Sequence, residues 1–452
     1  MSKKAPQRAG SSRRDFMKTG STLLMTAGAA TVGTNLIAAD GSSQGYHAYG
    51  SDVIKIGLIG CGGRGIGAAT QALNTTSGPV ELVAMGDLFA DRLQGAVRGI
   101  KSEHGDKFKV TKETQFVGFD AYKGVLAQDL DLVILATPPG FRPLHFEAAI
   151  NAGKHVFAEK PVAVDAPGVR RFLAANEKAK ASGLAVQVGL QRHHEPCYQQ
   201  IIKQCQDGAI GDIVLARAYW NNDGVWVRPR DPKQTELEYQ CRNWYYFNWL
   251  CGDHINEQHI HNIDVINWLM NDYPVEAQGQ GGRQVRTEKQ YGEIYDHHFV
   301  EFTYKSGTKL LSQCRHQRNT WSSVSEFAHG SKGYADLSGG KIYDVKGQLA
   351  WESEDHNHDG WQQEHHDLFH ALRAGERPNE GDYGAKSTMT ALFGRMATYT
   401  GKMLTWEQAL NSDVVLCDVD SLTSFEQEPP VKANEEGFYP VPTPGVDISK
   451  HV

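Results

Sequence analysis

Val53-Ile54-Lys55-Ile56-Gly57-Leu58-Ile59 runs straight into Gly60-Cys61-Gly62-Gly63-Arg64-Gly65, and a helix-compatible segment follows from Ile66 to Leu73. A short apolar run of strand type, a G-x-G-x-x-G turn and a helix form the context in which that glycine pattern binds a dinucleotide. Gly60 permits the tight turn, Gly62 lets the backbone approach the pyrophosphate, and Gly65 lets the helix pack close to the strand. The helix amides then point at the phosphates, with Gly63 and Arg64 in the same turn. A second strand, Val80 to Met85, ends at Gly86-Asp87. Asp87 stands where a carboxylate accepts hydrogen bonds from the adenosine ribose hydroxyls. It lies beyond the usual spacing of about 20 residues, as a longer first helix and turn would require. A carboxylate there repels a 2′-phosphate, which favours NAD over NADP, and Arg92 softens that preference.

The alternation continues. Leu132-Val133-Ile134-Leu135-Ala136 reads as a buried strand ending at Thr137-Pro138-Pro139. A helix from about Pro143 to Asn151, carrying His145, leads into the strand Lys154-His155-Val156-Phe157-Ala158 and then Glu159-Lys160-Pro161. Strands separated by helical segments imply a parallel sheet with helices on both faces, an α/β fold. Ligands of such sheets sit at the carboxyl ends of the strands. Thr137, Pro138, Glu159 and Lys160 fall there and are placed at the cofactor, and His145 is a further cofactor-binding candidate.

With 452 residues the chain is long enough for two domains. A net charge of -7 disfavours nucleic acid as a partner, because phosphate binding wants clustered Lys and Arg. Seven cysteines, widely spaced and without a C-x-x-C pair, read as core residues with at most an incidental bridge. The first residues are different in kind. A basic start, Ser12-Arg13-Arg14-Asp15-Phe16-Met17-Lys18 and a weakly apolar Gly/Ala/Thr stretch to Ala39 resemble a twin-arginine export signal. That stretch is too interrupted for a membrane span. The reading is thus a signal over 1–39, a polar lead-in over 40–52, a Rossmann domain over 53–175, a second domain over 176–425 and an extended tail over 426–452. It places the mature protein outside the cytoplasm, in the periplasm or beyond.

The order of glycine motif, Ala136-Thr137-Pro138, Ala152-Gly153-Lys154-His155-Val156 and Glu159-Lys160-Pro161 resembles the Gfo/Idh/MocA family of glucose–fructose oxidoreductase and inositol dehydrogenase. The likeness runs on through Gly189-Leu190-Gln191-Arg192 to the segment Thr388 to Trp406. It implies a C-terminal α/β domain with a large, mostly antiparallel sheet that often forms an oligomer interface. Strand-like segments at Asp212 to Tyr219, His297 to Tyr304 and Thr308 to Cys314 agree with it. A helix near 384–400 is expected to pack back on the Rossmann domain. The resemblance also implies that Lys160 lies between nicotinamide and substrate, with Gln191 and Arg192 near the cofactor. His193 and His194 follow at the place where the family approaches cofactor and substrate. The family's Asp-x-x-x-His pair corresponds here to Glu257 and His261, with His259 replacing the usual glycine. Glu keeps the charge and reaches one methylene further.

On a continuous helix Glu257 and His261 share a face. A carboxylate beside an imidazole raises its basicity and orients it, which suits a general base. Lys160 would hydrogen-bond the reacting oxygen and stabilise developing negative charge. His254, His259 and His261, with Asp253 and Glu257, raise the idea of a metal. Their spacing cannot bring all three histidines to one helical face, so no metal site is expected. From Trp220 to Trp249 the chain is dense in Trp, Tyr and Arg. Sugar faces stack on such rings, so Trp220, Arg242 and Trp244 join His193, His194, His259, His261 and Lys160 as substrate candidates. An oligomer interface would use the same residue types. Asp296-His297-His298 reads as a pocket edge, and His365-His366 as helix surface.

The expected activity is oxidation of a secondary hydroxyl of a sugar or polyol, or reduction of the ketone, with NAD as cofactor. Export implies a tightly bound cofactor regenerated in place. The alternative is an NAD-dependent glycoside hydrolase or lyase working by transient C3 oxidation and elimination. It needs a further base, for which His193, His194 and His259 are the candidates.

Overall fold

The computed structural model describes residues 52–357 and 359–452. The segment read as an export signal, and nearly all of the lead-in after it, lie outside the described residues.

The opening apolar run forms β1 (Ile54–Ile59), whose side chains are almost wholly buried. It lies at the centre of a six-stranded sheet with β2 (Val80–Asp87), β3 (Gln115–Val117), β4 (Leu132–Leu135), β5 (His155–Ala158) and β6 (Val186–Val188). The order is β3-β2-β1-β4-β5-β6, and every pairing is parallel. The direction of winding reverses between β1 and β4, and a crevice opens there at the strands' carboxyl ends. The domain is longer than the sequence indicates. A boundary at 175 falls inside helix Ala166–Ala181 and leaves out β6, which is only three residues long and so carries little periodicity.

The turn after β1 admits no other residue at two positions. Gly60 has φ +99°, and a Cβ there would lie 2.6 Å from the backbone of Ala136. A Cβ on Gly65 would stand 1.8 Å from the carbonyl oxygen of Gly60. The helix Gly63–Leu73 therefore packs directly on the strand end.

The second domain is a nine-stranded sheet. Its strands are β7 (Ile213–Asn222), β8 (Glu276–Gly282), β9 (His297–Thr303), β10 (Lys309–His316), β11 (Ser323–Gly330), β12 (Gly333–Asp336), β13 (Lys341–Asp344), β14 (Leu349–Glu352) and β15 (Leu404–Thr405). They run in the order β14-β13-β12-β11-β7-β10-β9-β8-β15, and only the β7–β10 pair is parallel. Alternation sends Ala216, Phe302, Leu310 and Ala328 to a fully buried face and leaves Phe299, Leu311 and Phe327 on the other, partly open.

Two long helices join the domains. Gly381–Thr400 is buried nearly all round, as a helix between two layers must be. It packs on β8 and β9 and also on helix Ala166–Ala181, and the Thr388 hydroxyl oxygen accepts from Val162 N at 3.2 Å. Helix Gly360–Arg373 adds Leu368, Phe369 and Leu372 to the core that holds Ile54, Ile56 and Leu58. Its His365, read from sequence as surface, is fully buried and stacks 4.3 Å from Phe157.

The segment that follows residue 409, with the tail over 426–452, is fastened to its own chain. Arg170 donates to Leu410 O at 2.6 Å and Arg171 makes two bonds to Asp420, while Leu416 N donates to Asp165. Phe425 then stacks 5.4 Å from Phe89, Val431 O accepts from Gln240, and Pro442 O accepts from the Tyr295 hydroxyl. All seven cysteines are free, so the incidental bridge does not form.

Gly65→Ala should lower stability by at least about 2 kcal/mol in chemical denaturation, because backbone rather than a side-chain tip blocks the methyl group. A Cβ on Gly62 meets nothing within 4 Å. Gly62→Ala should therefore melt like the parent while dinucleotide affinity, measured by titration, falls about ten-fold or more.

Candidate active site

A cleft of about 620 Å³ runs from the glycine turn to the edge of the second sheet. At its first end lie Gly60, Gly62, Gly63, Arg64 and Asp87. The helix Gly63–Leu73 starts without a side-chain cap and without an acidic residue in its first turn, so its leading amides are free to receive an anion. With the open space at Gly62 and Gly63, this cradle fits a dinucleotide pyrophosphate. Asp87 accepts from Cys61 N at 2.6 Å and from Phe89 N at 2.8 Å, which pins the carboxylate across the turn. Burial pushes its pKa up, against the pull of those amides and of Arg92.

Thr137, Pro138 and His145 line the cleft next. The Thr137 hydroxyl and His145 Nδ1 are 3.2 Å apart, and burial holds the imidazole neutral, with its pKa down to about 3. Arg64 faces the cleft, but its guanidinium is already paired with Glu159 and, at 3.2 Å, with Glu364. Arg142, which has no motif to announce it, is fully buried and donates to the carbonyls of both Thr137 and Pro161. It ties the turn after β4 to the turn after β5. Burial lowers its pKa to about 10 despite the nearby Glu159 and Glu257.

At the far end Lys160 Nζ donates to Glu257 O at 2.6 Å and to Glu257 Oε1 at 3.2 Å. The single helix expected over 257–261 is in fact two. Helix His254–Glu257 stops, Gln258 and His259 turn, and helix Ile260–Met270 begins. Glu257 consequently faces Lys160 and does not bond His261. The His261 ring lies 5.9 Å from Trp220, nearly parallel to it, and its buried Nδ1 has no partner. Burial, then Lys160, Arg192 and Arg64, hold its pKa well below the usual range. The expected rise in basicity is absent because the carboxylate that would cause it is turned away, and burial lowers the pKa instead.

Beyond the glycine turn, where Gly65 packs behind Gly60, five candidate residues do not line the cleft. Gln191 and Arg192 are buried in the turn Gln191–His194, with Arg192 paired to Glu326. His193 Nε2 is 2.8 Å from Asp264, and its ring lies between Trp268 and Tyr383 at 4.2 and 4.4 Å. His194 bridges Asp367 and Glu380, which raise its pKa to about 10 against burial, so it stays charged. His259 is buried against the Ser312 hydroxyl at 2.7 Å. Trp220, Arg242 and Trp244 do line the cleft. Arg242, however, reaches Asp91 just beyond β2 with two bonds of 3.1 and 3.2 Å and lies 4.0 Å over Phe89, which puts it at the cofactor end.

Tyr245 and Gln258 line the reactive end, and neither was singled out from sequence. Tyr245 was one ring among many in the run from Trp220 to Trp249; Gln258 gave no signal. Burial and the neighbouring Glu257 carboxylate push the Tyr245 phenol well up. Asp253, His254 and His298 bring their ligand-type atoms within 4.8 Å of one another. The Asp253 carboxylate is already engaged, by His254 N and Nδ1 at 2.5 and 2.7 Å, Tyr295 N at 3.0 Å and the Tyr399 hydroxyl at 2.5 Å. That donor set describes a hydrogen-bonded framework behind the site. Of the residues read as pocket edge, Asp296 and His298 are buried and His297 is half-buried, and none lines the cleft.

Comparison with known proteins agrees with this architecture. Residues 54–190 match the model of the oxidoreductase family with an NAD-binding Rossmann fold, and residues 198–336 match the GFO/IDH/MocA C-terminal domain. An inositol 2-dehydrogenase of Klebsiella pneumoniae is 30% identical over 265 residues, which cover 57% of this chain and 66% of that enzyme. An inositol 2-dehydrogenase of Rhizobium meliloti is 25% identical over 62% of this chain and 74% of its own length. Scyllo-inositol dehydrogenase from Lactobacillus casei, solved with NAD(H) and scyllo-inositol, superposes with a TM-score of 0.60 at 21% identity, covering 78% of this chain and 99% of the other. Aldose-aldose oxidoreductase from Caulobacter crescentus gives 0.59 at 19% identity over 78% and 100%. With both domains matched in order, the chain belongs to the Gfo/Idh/MocA family.

Proposed function

We propose that the protein is an NAD-dependent oxidoreductase acting on a secondary hydroxyl or ketone of a polyol or sugar. The observation that carries this is the Lys160–Glu257 contact, set beside His261 in one cleft continuous with the dinucleotide cradle. A bound nicotinamide would supply a hydride acceptor. The residues do the rest. Lys160 donates a hydrogen bond to the reacting oxygen and stabilises charge as it develops there. Glu257 holds the ammonium in place through both its carbonyl and its carboxylate. His261, already deprotonated, takes up the hydroxyl proton. The elimination route needs a second base, and its three nominees, His193, His194 and His259, all lie outside the cleft; the oxidoreductase reading is preferred for that reason.

The Ser12 to Lys18 motif supports export by the twin-arginine route. Arg242, which lines the cofactor end and is held there by Asp91, supports a tightly held NAD. Phe299, Leu311 and Phe327 on the half-open sheet face support a homo-oligomer formed through that sheet.

To test the activity, the nucleotide released from purified protein is identified, and the protein is then given NAD with a panel of inositols, aldoses and aryl glycosides. NADH should form with a polyol or free sugar; aglycone release without NADH would overturn the reading. Lys160→Ala and His261→Ala should each cut turnover by about 10²-fold or more while NAD stays bound. Because His261 is held neutral, the acid limb of kcat/KM should lie clearly below the ordinary imidazole value of about 6.5 and vanish in His261→Asn. A limb at or above that value would remove His261 from the role of base.

A further inference from the structure

Gln258 occupies the break between helices His254–Glu257 and Ile260–Met270, so its side chain departs from the course a continuous helix would give it. It lines the cleft together with Glu257 and His261. Its amide is held from behind, where His316 Nε2 lies 2.7 Å from Gln258 Oε1. His316, at the end of β10, is 1% exposed, and its ring is fixed between His254 at 4.4 Å and Tyr245 at 5.9 Å. Burial first, and the neighbouring His254 and Arg286, keep that imidazole neutral.

A neutral imidazole carries one proton, and His316 Nδ1 has no partner. A proton on Nδ1 would be a buried donor without an acceptor, the costlier arrangement. With the proton on Nε2, the bond to Gln258 is made and only a lone pair is left over. This fixes the amide orientation: Oε1 accepts from His316, and the NH₂ group makes no hydrogen bond among the described residues. Glu257 has its carboxylate on Lys160, so the adjacent position offers an uncharged donor pair beside the reacting centre.

We propose that Gln258 is a specificity-determining residue, donating its amide NH₂ to a ring hydroxyl of the substrate next to the one that reacts, and that His316 is the positioning residue that sets the amide. This rests on the polyol reading above and deepens it. A neutral dipole prefers a hydroxyl oxygen and gives little to a bare methylene, so the pair selects for an uncharged, vicinally hydroxylated ring.

The test uses the full-length protein with NAD and whichever polyol of the panel is turned over fastest, together with its monodeoxy analogues. Gln258→Leu should raise KM about ten-fold with a smaller change in kcat, leaving NAD affinity and melting temperature as in the parent. One deoxy analogue should be handled equally by parent and Gln258→Leu, which identifies the hydroxyl concerned. His316→Phe should raise KM in the same direction, and His316→Gln, which restores a donor to Gln258 Oε1, should recover part of the loss. Unchanged KM in Gln258→Leu for every analogue would overturn the proposal while leaving the oxidoreductase reading intact. Turnover of none of the polyols would overturn both.

Discussion

The bond from Lys160 Nζ to the main-chain oxygen of Glu257 is the constraint on which the site depends. Lys160 is fixed by the end of β5 in the first domain, and Glu257 by a short helix in the second. Neither domain alone holds the two ends of that bond. Their alignment is enforced by helix Gly381–Thr400, packed against both layers, and by Arg142 beneath the turn that carries Lys160. Choosing a backbone carbonyl as partner also matters. A carbonyl cannot be protonated away in the working pH range, so part of the ammonium's anchoring is insensitive to pH.

The electrostatics follow from burial more than from pairing. His145, His259, His261 and His316 all sit where solvation is poor, and all are held toward their neutral forms. His194 is the contrast: two carboxylates outweigh its burial, and it remains an ion. Histidines that look interchangeable in sequence are therefore split between proton acceptors, framework members and a fixed charge by their surroundings alone.

This explains what could and could not be read in advance. The places of Gly60, Gly65, Asp87 and Lys160 were legible because they are set by the few residues on either side of a strand end. The parallel alternation was legible for the same reason. His193, His194, His259, Gln191 and Arg192 were misplaced because two or three consecutive residues on a turn point in different directions, and their partners come from segments about 50 to 190 positions away. Glu257 and His261 were correctly brought to the cleft but wrongly paired, since nothing local marks the helix break at Gln258. Arg142 and His316 act through atoms that only the fold brings near them. The anchoring of the tail was not legible, because its partners lie on distant segments and it carries no periodic apolar pattern.

The tail's course from Asp413 to Val452 bears on how the cleft can be filled. It is bonded first to helix Ala166–Ala181 of one domain, then stacked on Phe89, then fixed to helix Glu236–Arg242 and to Tyr295 of the other. A hinge between the domains would have to stretch this strap or tear its anchors. The molecule is thus built less like a clamshell than like a barrel bolt. Trp226 and Trp244, which line the same cleft, stand on the segment that this strap ties down.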